Sequence, residues 1–157
     1  MPTWHYSVKF EDESKIAKAV RYDIPVSIKY MREIAKTING MRLNDAIKLL
    51  EDVVKQKQAI PFRRYNGKVS HKRGLGNRFG WPAGRYPVKG ARYFIEVLQN
   101  ARANAENKGL DPNSLVIVHV SAHKGITLKR YMPRAFGRST PRFRRMTNLE
   151  VIVREVG

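Results

Sequence analysis

Seventeen basic side chains in two acid-free stretches are the groups in this sequence best placed to do chemistry, and the chemistry they suit is phosphate binding. From Pro61 to Arg92 these are Arg63, Arg64, Lys68, Lys72, Arg73, Arg78, Arg85, Lys89 and Arg92. From Lys124 to Arg145 they are Lys124, Lys129, Arg130, Arg134, Arg138, Arg142, Arg144 and Arg145, and neither stretch holds an Asp or Glu. The other 14 bases face all 13 acids, so nearly all of the net charge of +18 sits in these two blocks. Solvated faces normally mix both signs, whereas blocks of 32 and 22 residues with a single sign call for an anionic partner. Arginine outnumbers lysine six to three in the first and six to two in the second. Its planar fork pairs with phosphate at two points and stacks on bases, which an ammonium cannot do.

Aromatic rings interleave with these bases: Phe62, Tyr65, Phe79, Trp81 and Tyr86 in the first block, Tyr131, Phe136 and Phe143 in the second. Any one ring fits a small local core equally well. Together they fit a surface that stacks on unpaired bases while gripping phosphates, with Tyr65, Phe79, Trp81, Phe136 and Phe143 as the stacking candidates.

Other chemistries are poorly served. His119 and His123 are four apart, which on a helix would make a zinc pair, but on the Val-rich strand expected here they stand about 13 Å apart. His5 and His71 lack ligand-like spacing, so no metal and no cofactor are expected. Gly74, Gly76 and Gly80 lack the full dinucleotide-binding spacing and do not follow an apolar strand. They read as places where backbone turns tightly or approaches a nucleic acid. No serine, lysine or carboxylate has partners suited to nucleophilic or acid–base work. Cysteine is absent, which removes disulfides and thiolate sites and fits a reducing compartment. No run approaches the eighteen or so apolar residues of a membrane span and no signal peptide is visible, so a cytoplasmic protein without membrane insertion is expected.

The elements that must position these groups fit one domain of 157 residues. Trp4, Tyr6, Val8 and Phe10 alternate as one face of a first strand. Ser27 can cap a helix with Ile28, Met31, Ile34, Ala35 and Ile38 on its apolar face, stopped by Asn39 and Gly40. Asn44 can cap a second helix, with Ala46, Ile47, Leu50, Val53 and Val54 as its stripe. Residues 61–88, rich in Gly and Pro, read as an extended basic insertion. A third helix begins near Lys89, buries Phe94, Val97, Leu98, Ala101 and Ala105, and ends at Gly109 and Pro112. Leu115 to Ala122 reads as a strand in a central position, because its Leu, Val and Ile content is nearly continuous. The last third is a long hairpin, with residues 124–150 as its basic part, turning at Phe136, Gly137, Arg138 and Ser139 and with Leu149, Val151 and Val153 alternating in the returning arm. At about 3.3 Å per residue its arms reach roughly 40 Å, longer than the radius of a domain of about 110 residues, so the outer part must leave the body. The expected fold class is α+β: a small antiparallel three-stranded sheet on three helices with a protruding β-hairpin.

In the hairpin, Lys129, then Arg134, Ala135, a free position, Gly137 and Arg138, then Asn148 ten residues on, followed by Leu149, Val151 and Val153, resemble the signature of the universal large-subunit ribosomal protein family twenty-two, called L-seventeen in eukaryotes. The likeness covers nearly the whole chain, including Asn39 to Val53, Pro61 to Gly67, Trp81 to Lys89 and Lys108 to Val118. The Pro61 to Lys89 insertion is similar to archaeal and eukaryotic members. Asn148 stands where many members have His. The resemblance implies a structural constituent of the large ribosomal subunit that binds its ribosomal RNA, supports assembly and helps line the exit tunnel for nascent polypeptide. Arg134, Ala135, Phe136, Gly137, Arg138 and Ser139 would then lie at the tunnel tip, and the partners would be large-subunit RNA, neighbouring ribosomal proteins and the nascent chain, with no homo-oligomer expected. Two other classes compete. A helix-turn-helix made of the first two helices would need a positive recognition helix, yet Lys48, Lys55 and Lys57 are opposed by Asp45, Glu51 and Asp52. A nuclease would need a carboxylate cluster that the sequence does not offer.

Overall fold

The computed structural model describes residues 4–156. Its elements, in chain order, are β1 (Ile16–Ile24), α1 (Ile28–Ile38), α2 (Leu43–Val54), β2 (Ile60–Pro61), α3 (Leu75–Phe79), β3 (Gly84–Arg85), α4 (Val88–Asn107), β4 (Leu115–Leu128), β5 (Tyr131–Pro133), β6 (Ser139–Pro141) and β7 (Arg144–Glu155). The α+β expectation stands, with an antiparallel sheet of order β1-β7-β4. One face of it carries α1, α2 and α4, and α3 is a fourth, short helix that the sequence did not announce.

The helices follow their apolar spacing. Along α1 the side chains of Met31, Ile34, Ala35 and Ile38 are buried, and along α4 those of Phe94, Val97, Leu98, Ala101 and Ala105. Gly109 takes the left-handed conformation expected of a helix stop, φ +78°. Helix α2 is rotated from the expected stripe: Leu43, Ala46, Leu49, Leu50 and Val53 are buried, while Ile47 and Val54 are half-buried. Asn44 is not its cap, since the helix already starts at Leu43 behind Arg42. Ser27 does precede α1, without a side-chain capping bond.

Two strand expectations are overturned. Strand β4 lies at an edge and β7, not β4, is central. Burial agrees: Leu149, Val151, Ile152 and Val153 are all enclosed, whereas Val116 and Val118 on β4 are half-exposed. The first strand is Ile16–Ile24, not Trp4–Phe10. Residues 4–10 form no ladder, yet Trp4, Tyr6, Val8 and Phe10 alternate half-buried against exposed neighbours. Trp4 meets Tyr22 of β1 edge-on at 5.4 Å and His123 of β4 at 5.7 Å. The segment therefore crosses over the sheet's outer face instead of pairing with its edge.

Beneath that cover lies Glu150 of β7, fully buried. Trp4 Nε1 donates to its Oε2 at 2.8 Å, the Ser7 hydroxyl donates to Oε1, and His119 Nε2 stands 3.0 Å from Oε1. His123 Nε2 lies 3.1 Å from the same oxygen. The backbone positions of the two histidines are set about 13 Å apart by strand spacing, but their side chains lean together and converge on one carboxylate oxygen. Burial alone would raise the Glu150 carboxyl, but the polar contacts it receives from Ser7, Trp4, His119 and His123 outweigh it and hold the group at about 2, below its ordinary 4.5. A value lower in the folded than in the unfolded state stabilises the fold above about pH 4.5 and stops doing so as the pH falls towards 2. Roughly 3 kcal/mol is at stake, at about 1.4 kcal/mol per unit. Urea midpoints of the parent and of Glu150→Gln should therefore be well separated at pH 6 and converge by pH 2. A separation independent of pH would rule out this account.

Candidate nucleic-acid interface

The second block is built as a projecting arm. The ladder between β4 and β7 runs from Leu115 opposite Glu155 out to Leu128 opposite Arg144, and β5 and β6 continue it to Pro133 opposite Ser139. Where the arm leaves the body, Asn148 Oδ1 accepts the Asp23 backbone N–H at 2.9 Å, beside register shifts in both neighbouring ladders. A Cβ on Gly125 would stand 2.9 Å from that amide oxygen, so a larger residue there would push the Asn148 side chain from its place. Asn148 thus acts as a structural clasp, a role its sequence position did not reveal. At the far end the Arg134 N–H donates to the Arg138 carbonyl at 2.8 Å, and Phe136 and Gly137 take φ +59° and +67° to make the turn.

All eight cations of this block, Lys124, Lys129, Arg130, Arg134, Arg138, Arg142, Arg144 and Arg145, are exposed. So are Tyr131 and Phe143, packed edge-on at 6.0 Å, and Phe136 at the tip is 95% exposed. Large rings left in water on an arm without a core are costly unless a partner covers them. A hairpin of this kind is marginal by itself and gains order from what it binds.

The first block is folded back, not extended as expected. Pro61 pairs with Gly84, the Phe62 N–H donates to the Ala83 carbonyl at 2.9 Å, and Lys72 N–H donates to the Pro82 carbonyl at 2.9 Å. Phe62 and Leu75 are buried beneath this lobe, each contributing about 1.5–3 kcal/mol. The turn needs glycine at Gly84, where a Cβ would stand 2.5 Å from the Ile60 carbonyl oxygen. The lobe is tied to α1 by Glu33, a buried carboxylate that accepts the backbone N–H groups of Arg63 at 3.1 Å and of Arg64 and Tyr65 at 2.9 Å. Glu33 was invisible to periodicity because it lies among the apolar positions of α1 as an ordinary surface glutamate would.

Within the lobe the cations divide. Arg63 is half-buried and donates to the Phe79 carbonyl at 2.8 Å, Arg78 donates to Gln58 at 2.9 Å, and Arg85 donates to the Tyr30 hydroxyl at 2.7 Å. Lys72 reaches Ser70 at 3.1 Å. Arg64, Lys68, Arg73, Lys89 and Arg92 are exposed, and so is Arg78 despite its bond. Of the candidate stacking rings, Trp81 is half-buried and donates to the Phe62 carbonyl at 2.8 Å, Phe79 packs on the core, and Tyr65 is half-exposed beside Arg64. Among the described residues, no carboxylate forms an ion pair with any of the seventeen cations; the pairs present are Lys18–Glu13, Arg21–Glu96, Arg102–Glu106 and the two histidines with Glu150. No group of three or more His, Cys, Asp or Glu among the described residues is placed to hold a metal ion, and no helix there is long and apolar enough to cross a membrane.

An arrangement of unpaired cations and exposed rings on a rigid body is suited to RNA, with guanidinium groups at phosphates and rings on unstacked bases. Sequence comparison points the same way. The profile of the family described as ribosomal protein L22p/L17e matches residues 19–154. The large ribosomal subunit protein uL22 of Staphylothermus marinus is 61% identical over 156 residues, covering 99% of this chain and 99% of that one. The protein of the same name from Aeropyrum pernix is 56% identical over 156 residues, covering 99% and 100%, and that from Sulfolobus acidocaldarius is 43% identical over the same length.

Proposed function

Because the chain belongs to the ribosomal protein L22p/L17e family, we propose that it serves as a structural constituent of the large ribosomal subunit, binding large-subunit RNA through its two basic blocks. The observation that carries this reading is the arm from Lys129 to Arg145, in which every residue but Thr140 is exposed and no carboxylate occurs. Such an arm has no core of its own and, among the described residues, no carboxylate partner for its charge. Embedding it among phosphates supplies both, through the release of condensed counterions. Its work is positioning and assembly, not catalysis.

The tip then reaches the exit tunnel, with Arg134, Ala135, Phe136, Gly137, Arg138 and Ser139 facing the nascent polypeptide, while the helical body meets neighbouring ribosomal proteins. The turn is self-contained, closed by the Arg134 N–H on the Arg138 carbonyl and the Arg138 N–H on the Ala135 carbonyl, so it can be shortened without touching the body. Deleting residues 135–139 should leave incorporation into large subunits within about twofold of the parent while changing nascent-chain passage or the binding of tunnel-directed inhibitors. Identical passage and inhibitor binding would remove the tip from the tunnel. Crosslinking at Arg138 in intact subunits tests the wider reading, which requires adducts to large-subunit RNA.

A further inference from the structure

Helix α1 and the first basic lobe meet in a groove that the charge runs did not mark. Lys29 and Tyr30 belong to the nearly neutral part of the chain, yet with Phe62, Arg64, Tyr65, Gly67 and Arg85 they line a cleft of about 380 Å³. That volume falls within the roughly 300–1,000 Å³ of small-molecule sites. One wall is a fixed tyrosine: Tyr30 meets the buried Phe62 edge-on at 5.0 Å, and its hydroxyl accepts a bond from Arg85. Lys29 Nζ and the Arg64 guanidinium lie 5.6 and 5.7 Å from the centre of the Tyr65 ring. Three cations and two tyrosines thus converge, and no carboxylate lines the groove. The Glu33 carboxylate, one turn along α1, is already occupied by backbone N–H groups.

We propose that this groove is a nucleotide site: it receives one unpaired nucleotide of RNA, with the base against Tyr65 beside Tyr30 and the phosphate held by Lys29, Arg64 and Arg85. The inference rests on the RNA-binding reading above and narrows it to a position. A duplex backbone or an acidic peptide would need the cations alone. Two aromatic rings inside a cleft of this size match an exposed base, which every unpaired nucleotide offers and a duplex hides. The placement of Lys29 and Arg64 by the Tyr65 ring keeps both cations at hand for the phosphate that accompanies the base.

Four probes separate the possibilities when titrated into the full chain: octauridylate, an abasic ribose-phosphate strand of equal length, a short RNA duplex, and an octapeptide of glutamate. The parent should prefer octauridylate to the abasic strand by about tenfold, the scale of a single stacked base. Tyr65→Ala should cut that preference severalfold with its melting temperature unchanged, and Tyr65→Phe should retain it. Octauridylate containing 4-thiouridine should crosslink within the groove. The nucleotide site is wrong if the preference ignores Tyr65→Ala, if the groove takes no crosslink, or if the duplex or the peptide depends on Tyr65 equally. Salt-dependent binding of all the nucleic acids without base preference would overturn this site while leaving the RNA-binding reading intact. Absence of any RNA binding would end both.

Discussion

Replacing Arg142, Arg144 and Arg145 together by glutamate is expected to lower affinity for large-subunit RNA by roughly a hundredfold or more at about 0.15 M salt, and to flatten its salt dependence by about three in logarithmic slope. The three guanidinium groups are exposed and have no carboxylate partner among the described residues, so their loss takes no ion pair from the fold. Arg144 and Arg145 do lie in the ladder, opposite Leu128 and Thr127, but that pairing uses backbone groups that glutamate keeps. What changes is the outward field: three cations become three anions among phosphates, and the arm that should order against RNA is repelled by it. Thermal unfolding of the free protein should move little, within the half kcal/mol or so typical of surface changes. In competition with the parent for incorporation into large subunits, the variant should be nearly excluded. Equal incorporation, with an unchanged salt slope, would show that the arm's charge does not carry binding.

The parts of this fold that were legible in the sequence are those where a period and a composition agree. Helix α4 shows this: its stripe from Phe94 to Ala105, its glycine stop and its proline beyond it point to one answer, and the helix spans Val88–Asn107. The arm was legible for the opposite reason, since its lack of carboxylates and its turn residues persist whatever packs nearby. Strand β1 was missed because its inward positions are Ala17 and Ala19, residues that strands use sparingly. Their small size lets α4 pack closely on β1, so the chain's weakest strand signal marks a tight helix–sheet contact.

The exchange of β4 and β7 has a related cause. Alternation of Leu149, Val151 and Val153 described the returning arm as covered on one face only, whereas Glu150, on the other face, is buried under residues 4–10 and satisfied there. Alternation in Trp4–Phe10 was real, but it described a segment lying across a face. Periodicity reports which side of a chain is covered; it does not report whether the cover is a hydrogen-bonded neighbour or a sheet beneath. At the candidate interface the same limit applies: the seventeen cations could be named from composition, but the internal engagement of Arg63, Arg78 and Arg85 depends on a fold-back of residues 61–85 that only tertiary contacts create.

That fold-back turns on one carboxylate, and replacing Glu33 by alanine is expected to cost about 4 kcal/mol. Hydrogen bonds to a charged acceptor contribute about 1.5–3 kcal/mol each, and three donors lose theirs together. The Arg63, Arg64 and Tyr65 N–H groups converge on Glu33 from a turn that offers them no other backbone partner among the described residues, so water can offset only part of the loss. Glu33→Gln makes the argument sharper. An amide oxygen can keep the two bonds at the Oε1 position, to Arg64 and Tyr65, but its NH2 then faces the Arg63 N–H, donor against donor. The expected cost is accordingly smaller, about 1–2 kcal/mol, and localised at Arg63. Urea unfolding gives the two totals, and amide hydrogen exchange gives their location: protection should fall at 63–65 in the alanine variant while α4 and β7 keep theirs. Both variants should also weaken RNA binding beyond the loss of stability, because Arg64 and Tyr65 would no longer be held over α1. Equal stability of the two variants and the parent would mean that the lobe stands on Phe62 and Leu75 alone, with the buried carboxylate as a passenger.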